Sequence, residues 1–354
     1  MPLATDSFMY QTMHRQPADL RNLIENGWEQ AAEAAEVIES ARRVFVTGIG
    51  TSYHAALVGA WFIRATGKDA RAVSSFDLAF YPESWTLHPG DAVVVMAHTG
   101  VKTYSKVALD RAVEAGAAVI SVGSASAEHP GSKKIVRTIE REKSAAYTSS
   151  HLSAMTALAQ IAYLMGTEWN ASGVQGWKER LTELPELIQG ILDRQADVKA
   201  IAGEAIARRT YVAGAGPNEA TALEAVIKVR EAAYGWIDAM AAEQFLHGPL
   251  IGVHPGDLGV MINVPGAAIQ RTSDIARVLD GIGLDLWLVG QGVDTLPDAT
   301  VFSLPDFPEI LSPLLAVVPM QMLAYEMAVL KNLDPDTFRR DDDIFKNALS
   351  VLTL

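Results

Sequence analysis

The 354-residue chain contains no cysteine. That absence excludes disulfide scaffolds, thiolate metal sites, iron–sulfur clusters and cysteine nucleophiles. Positive charge is also scarce: 29 Lys plus Arg face 42 Asp plus Glu, for a formal net charge of −13. A nucleic-acid partner is therefore not expected, because binding the phosphate backbone needs a basic face. Long apolar runs are missing. The nearest, around 311–330, is interrupted by Ser312, two prolines, Gln321 and Glu326, and reads as a buried helix of a soluble protein. The N-terminus, MPLATDSFMYQTMHRQPADL, lacks the basic start and apolar core of a secretion signal. A cytoplasmic protein with no membrane partner is the expectation. Two nucleotide signatures are incomplete as well. No GxxxxGK[ST] occurs, and GIGTSY and GAGPNE lack a third glycine. No acidic residue closes the next strand, where 71–75 read RAVSS. An NAD(P)-dependent oxidoreductase is thus disfavoured, and no cofactor is expected.

What is present is an internal duplication. Residues 42–57 read RRVFVTGIGTSYHAAL and residues 208–223 read RRTYVAGAGPNEATAL. The offset from Arg42 to Arg208 is kept from His88 to His254, where HPGDAVVVMAHTG answers HPGDLGVMINVPG. A third echo has drifted by one residue: GAAVISVG from Gly116 against GLDLWLVG from Gly283. Three matches in order at nearly constant spacing indicate two copies of one unit. Each copy alternates short β-branched runs ending in glycine with helical stretches (Ser52–Ala65, Tyr104–Ala115, Glu219–Ala233), the pattern of a parallel sheet with right-handed crossovers. The fold class is α/β, with two tandem three-layer αβα domains. The expected organisation is an N-terminal segment over 1–29, a first domain over 30–170, a helical linker over 171–194, a second domain over 195–335 and a tail over 336–354. A leading helix is expected near Ala18–Ala41, and a helix at Val174–Leu192 interrupted by Pro185.

Ligands of parallel sheets bind beyond the carboxyl ends of strands, near helix N-termini. Three loops of the first copy carry hydroxyls there. They are Gly50-Thr51-Ser52, His98-Thr99-Gly100-Val101-Lys102-Thr103 and Tyr147-Thr148-Ser149-Ser150. Each threonine could be only a helix cap. Three such loops at one sheet edge point to a small phosphate or sugar, with Lys102 adding charge. In the second copy, Glu224, Lys228 and Glu231 form one polar stripe on an otherwise apolar helix. A solvated ion-pair face is the plain reading, and a partly desolvated acid–base group is the functional one. His247, in Phe245-Leu246-His247-Gly248-Pro249, stands among apolar residues at a turn, with Glu243 nearby.

These motifs resemble the tandem sugar-isomerase (SIS) domains. That family includes the isomerase half of glucosamine-6-phosphate synthase, amino-sugar-phosphate deaminases, deglycases and ketose/aldose isomerases. The resemblance runs from MHRQPADLRNLI through GIGTSYHAAL, close to the family's G-T-S-x-x-[AS] loop, to ALEAVIKVREAAYGWIDAMAAEQFLHGPL, which keeps the A-L-E-x-x-x-K-x-x-E…H-G-P spacing. It implies a metal-free enzyme acting on a sugar phosphate, with aldose–ketose proton transfer and amine loss or addition as family chemistry. It further implies that Glu231 moves the proton between C1 and C2. His247 assists ring opening and reaches into the partner's site in a homodimer, and Lys228 lies close to substrate. Thr51, Ser52, Thr99 and Thr103 hold the phosphate.

The sequence departs from the family in three places. The phosphate loop, usually S-x-S-G-x-[ST], here has Ala97 for the first serine and Lys102 for the last hydroxyl, with Thr103 one residue on. The tail FKNALSVLTL places Leu349 where the synthase has a lysine, with Lys346 three residues earlier. No glutaminase domain precedes the SIS pair, so glutamine-dependent amidotransfer by this chain is not expected. The alternative from another class is a non-catalytic sugar-phosphate sensor.

Overall fold

A computed structural model of the chain describes residues 6–352. The elements of the first copy are α1 (Phe8–Asn26), α2 (Trp28–Glu39), β1 (Val44–Gly48), α3 (Thr51–Arg64), β2 (Ala70–Ser74), α4 (Ser75–Phe80), β3 (Ala92–Met96), α5 (Thr103–Glu114), β4 (Ala118–Gly123), β5 (Lys134–Arg137) and α6 (Ser149–Glu168). After α7 (Trp177–Leu192) come α8 (Gln195–Ala205), β6 (Thr210–Gly214), α9 (Asn218–Ala233), β7 (Ile237–Ala241), α10 (Ala242–Leu246), β8 (Leu258–Asn263), α11 (Ile269–Ile282), β9 (Asp285–Gly290), β10 (Thr300–Phe302) and α12 (Pro313–Leu330). A short α13 (Asp343–Leu349) lies in the tail.

The chain folds into two compact units. One takes in Arg15–Lys143, Tyr147–Pro185 and residues 339–352. The other takes in residues 6–14, Ser144–Ala146 and Glu186–Phe338. We call them the first and second units, after the repeat each contains. Each holds a parallel five-stranded sheet. The orders are β2-β1-β3-β4-β5 and β7-β6-β8-β9-β10, so each strand has its counterpart in the same place. Register repeats too: Val44 pairs with Ala70 and Ala92, and Thr210 with Ile237 and Leu258.

In the first unit α2, α3 and α6 pack together over one face of the sheet, and α4 with α5 over the other. The second unit has α8, α9 and α12 on one side, α10 and α11 on the other. This is the expected three-layer arrangement, twice. The central strands are buried end to end because both faces are covered. Phe45, Val93, Val95, Leu109 and Ala112 form one core under α5. Tyr211, Met261, Ile275, Leu279 and Leu288 form its counterpart under α11.

Two shared motifs are architectural. The strand-ending glycines, Gly48 and Gly214, admit no side chain: a Cβ would lie 2.5 Å from the Ser52 carbonyl or 2.1 Å from that of Asn218. The HPGD turns close on their own aspartate, which accepts the N–H of His88 at 2.9 Å in one copy and of His254 at 2.8 Å in the other. Asp91 also binds Arg43 at 2.6 Å, and Asp257 lies 4.0 Å from the matching Arg209.

Local differences from the sequence reading have physical causes. The leading helix is two helices divided at Gly27, where a Cβ would meet the Leu23 carbonyl at 2.5 Å. Pro185 does not interrupt its helix. α7 runs through it, forgoing one N–H donor. α12 also contains a proline, Pro319, and is long and apolar enough to cross a membrane, but 89% of that stretch is buried inside the protein.

Candidate functional site

The carboxyl ends of β1, β3 and β4 open on a cleft in the first unit. Its walls include Thr51, Ser52, His98, Tyr147, Ser150 and His151. Thr51 and Ser52 start α3, placed there by Gly50, whose positive φ of 58° turns the chain from strand to helix. The enclosed volume is small, about 20 Å³, so it seats a water-sized group or the head of a ligand rather than a whole sugar ring.

His98 is the cleft's titratable wall. Its Nε2 accepts the N–H of Glu142 at 3.2 Å, which puts the ring proton on Nδ1. Burial, then the nearby charges of Arg141 and Arg15, push its pKa down to about 4, so the ring is neutral at physiological pH. Tyr147 meets it edge-on with ring centroids 5.4 Å apart.

The third loop is committed differently from the sequence expectation. Thr148 and Ser149 are fully buried and bond inside the protein. Both serve Glu142, a buried carboxylate that the sequence reading passed over. Glu142 Oε1 accepts the Ser149 N–H at 2.9 Å and both the N–H and hydroxyl of Thr148 at 3.3 Å. Its Oε2 accepts the Ser150 N–H at 3.2 Å and the Ser150 hydroxyl. Ser149 Oγ donates to Asp19 at 2.5 Å. Burial raises the Glu142 pKa, and the converging donors oppose that rise. With three backbone N–H groups of a helix N-terminus pointing at it, we assign the ionised form at neutral pH. Glu142 lies in the run Glu140-Arg141-Glu142-Lys143, which looks like any solvated charged loop.

The structure places the remaining first-unit candidates outside the cleft wall. Thr99 and Gly100 are half-buried, and Gly100 sits at φ 89°. Lys102 is exposed and opens α5, where Ser105 Oγ accepts its N–H at 3.1 Å and donates to its carbonyl at 2.7 Å. Thr103 is the first residue of α5.

In the second unit, α9 brings Glu224, Lys228 and Glu231 together. Lys228 Nζ lies 2.6 Å from Glu231 Oε2 and 3.5 Å from Glu224 Oε1. Lys228 and Glu224 are wholly buried, while the Glu231 side chain keeps 30% exposure. The stripe is therefore not a solvated face. One Lys228 side chain lies against two carboxyl groups, and of the three only Glu231 is reached by solvent.

His247 is not part of that group. It ends α10 with a side chain 64% exposed, its Nε2 3.1 Å from Glu243 Oε1. Glu243 in turn is clamped by Arg271 at 2.7 and 2.9 Å. Arg271, then His247, pull the Glu243 carboxyl down to about 2. Among the described residues no group of three or more His, Asp or Glu is arranged to hold a metal.

Among the described residues, the second unit fills the corresponding loops from within. Asn218, in the place of Ser52, donates to Ser312 Oγ at 2.7 Å. The β8–α11 loop, counterpart of the His98 loop, is filled by Glu309, whose Oε2 accepts the Ala267 N–H at 2.8 Å. A Cβ on Gly266 would lie 2.3 Å from that oxygen. The one-residue drift that aligns Gly116 with Gly283 also aligns Glu142 with Glu309.

Known proteins resemble the chain over nearly its whole length. A glutamine–fructose-6-phosphate aminotransferase (isomerizing) of Pyrococcus horikoshii is 28% identical across 94% of this chain and 56% of its own length. A Thermococcus kodakarensis protein of the same name is 26% identical, with 93% and 56% covered. The chain thus spans little more than half the length of these curated relatives. Among solved structures, the C-terminal domain of glucosamine-fructose-6-phosphate aminotransferase from Francisella tularensis superposes with a TM-score of 0.84 at 18% identity, covering 94% of this chain and 98% of that one. Tagatose-6-phosphate ketose/aldose isomerase from Escherichia coli gives 0.81 at 19%, covering 96% of each. At such identities the likeness is one of fold. The SIS domain family itself matches residues 37–164. The chain thus carries an SIS domain over its first repeat, and the second repeat builds the same sheet again.

Proposed function

We propose that the chain is a sugar-phosphate or amino-sugar-phosphate isomerase of the SIS type, with amine loss or addition as a further step of its chemistry. The single observation that carries this reading is the α9 group: a buried Lys228 ammonium 2.6 Å from a Glu231 carboxylate that alone of the three stays open to solvent. In the proposed reaction Glu231 takes the C2 proton of the open-chain aldose, the electron pair moves to the C1 oxygen, and the ammonium of Lys228 offsets the enediolate charge. Glu231 returns the proton at C1 while the C2 hydroxyl passes its own proton to the C1 oxygen, so that C2 becomes the ketone and C1 carries the hydroxyl. Thr51, Ser52 and the His98–Thr103 loop are the groups we assign to the phosphate. The related proteins' names concern fructose, tagatose and glucosamine 6-phosphates, which favours a hexose 6-phosphate. A cytoplasmic homodimer belongs to the same proposal, since the exposed His247 is accessible to serve ring opening in a neighbouring subunit.

The test is proton exchange at C2 of hexose and amino-sugar 6-phosphates in D₂O. Wild type should wash deuterium into C2, and Glu231→Gln should lower that rate by about 10²–10⁴-fold, the usual worth of a general base. Unchanged exchange in Glu231→Gln would sink the assignment. A second reading, a sugar-phosphate sensor without catalysis, draws support from His247 being tied to Glu243 and from Leu349 in the tail. Ligand binding with no exchange for any sugar would favour it.

A further inference from the structure

We propose that Glu142 is a positioning residue of the first-unit cleft: it turns Ser150 into a hydrogen-bond acceptor and holds His98 with its Nδ1 proton free, so the cleft selects a ligand that presents a hydroxyl donor beside an anionic or carbonyl acceptor. The inference rests on the cleft being the sugar-phosphate site, but its geometry stands apart from that reading.

Glu142 touches both walls. Its carboxylate gathers the N–H groups of Thr148, Ser149 and Ser150, and its own N–H fixes the His98 ring. The Ser150 hydroxyl also points its hydrogen at Oε2. A hydroxyl has one hydrogen, so an occupied donor leaves Ser150 only lone pairs to offer a ligand. His98 is complementary: with Nε2 accepting, Nδ1 carries the hydrogen, and among the described residues that nitrogen makes no hydrogen bond. One wall accepts and the other donates, and neither is charged. Binding energy is then gained only by a ligand with the matching donor–acceptor pair, because a mismatch leaves a buried polar group unsatisfied.

The second repeat shows what happens when the carboxylate points the other way. Glu309, the counterpart of Glu142, sends its carboxylate into the loop that matches the His98 loop and takes the Ala267 N–H. In the first repeat the corresponding N–H, that of Val101, has no hydrogen-bond partner among the described residues. By anchoring to α6, Glu142 leaves that loop open to an outside anion.

The test combines Glu142→Gln, Ser150→Ala and their double variant in the full chain. Glutamine is isosteric with the native side chain but donates from Nε2, which reverses the Ser150 hydroxyl. Titrated with fructose 6-phosphate and glucosamine 6-phosphate, Glu142→Gln should weaken binding by at least about tenfold, while inorganic sulfate, an anion with no hydroxyl donor, should change less than about threefold. The double variant should be no worse than Ser150→Ala alone. Equal losses for sugar phosphate and sulfate, or additive losses in the double variant, would overturn the proposal. Should wild type bind no hexose phosphate at all, the proposed function fails, and a ligand-free arm still decides Glu142. In ¹⁵N-histidine spectra His98 should be the Nδ1–H tautomer in wild type. Glu142→Ala keeps the backbone N–H that holds the ring but releases its loop from α6, so the ring should become a tautomer mixture, with faster amide exchange at Ser149 and Ser150. Identical tautomers and exchange in that variant would overturn the positioning role.

Discussion

The two repeats share sheet order, register, strand-ending glycines and HPGD latch, yet their strand ends have diverged in opposite directions. The first keeps its loops open and lines them with Thr51, Ser52 and His98. The second closes the same places from within, Asn218 on Ser312 and Glu309 on Ala267, and puts its polar groups on α9 instead. One framework thus carries either open, hydroxyl-lined loops or a buried ion-pair group on a helix, depending on which loop atoms the protein itself consumes.

Four measurements bear on this contrast. The largest effect is expected at Lys228→Ala, which removes the ammonium 3.5 Å from the buried Glu224 carboxylate and 2.6 Å from Glu231. Breaking a buried pair from one side costs about 3–5 kcal/mol, read as a lowered urea midpoint. A loss under about 1 kcal/mol would return α9 to the solvated-face reading. Next come the matched glycines. Gly100 and Gly266 both have positive φ, 89° and 153°, so alanine strains either by about 1–3 kcal/mol. Only Gly266→Ala also expels a carboxylate, so it should melt lower than Gly100→Ala. Equal melting would mean that Glu309 does not hold its loop.

Acid should separate the copies further. His98 and His129 are each pushed down to about 4, both by burial first. Their folded pKa values lie below the unfolded one of about 6.5, so between those values the unfolded chain binds more protons than the native. Stability is therefore full above about 6.5 and falls as pH drops toward 4. The histidines of the second repeat, His247 and His254, are exposed. Amide exchange at pH 7 and pH 5 should show the first sheet loosening before the second. The smallest effect is expected at Lys102→Ala. An exposed cation at a helix start contributes within about 0.5 kcal/mol, so phosphate binding should weaken less than about threefold, and a tenfold loss would make Lys102 a main phosphate contact rather than a peripheral member of its loop.

The sheets were legible because buried parallel strands write themselves as β-branched runs ending in glycine. VFVTG and TYVAG match β1 and β6 residue for residue. Helix bounds read from periodicity fall within a residue or so of α3, α5 and α9. The α9 stripe was legible for the same reason, being fixed by helical spacing. The loops were not. Whether Thr148 faces a ligand or a neighbouring carboxylate depends on where Glu142 folds back, and a charged residue in a charged run carries no periodic signal. Edge strands such as β5, reading KIVR, were equally silent because they lack a second buried neighbour.

α12 has one more consequence, in the life of the chain. It forms the last layer over α8 and α9, so until the second unit closes, a membrane-length apolar segment has no cover. The newly made polypeptide offers that segment to chaperones and insertion machinery before its own core can claim it. Heating exposes it again, so aggregation should outrun refolding.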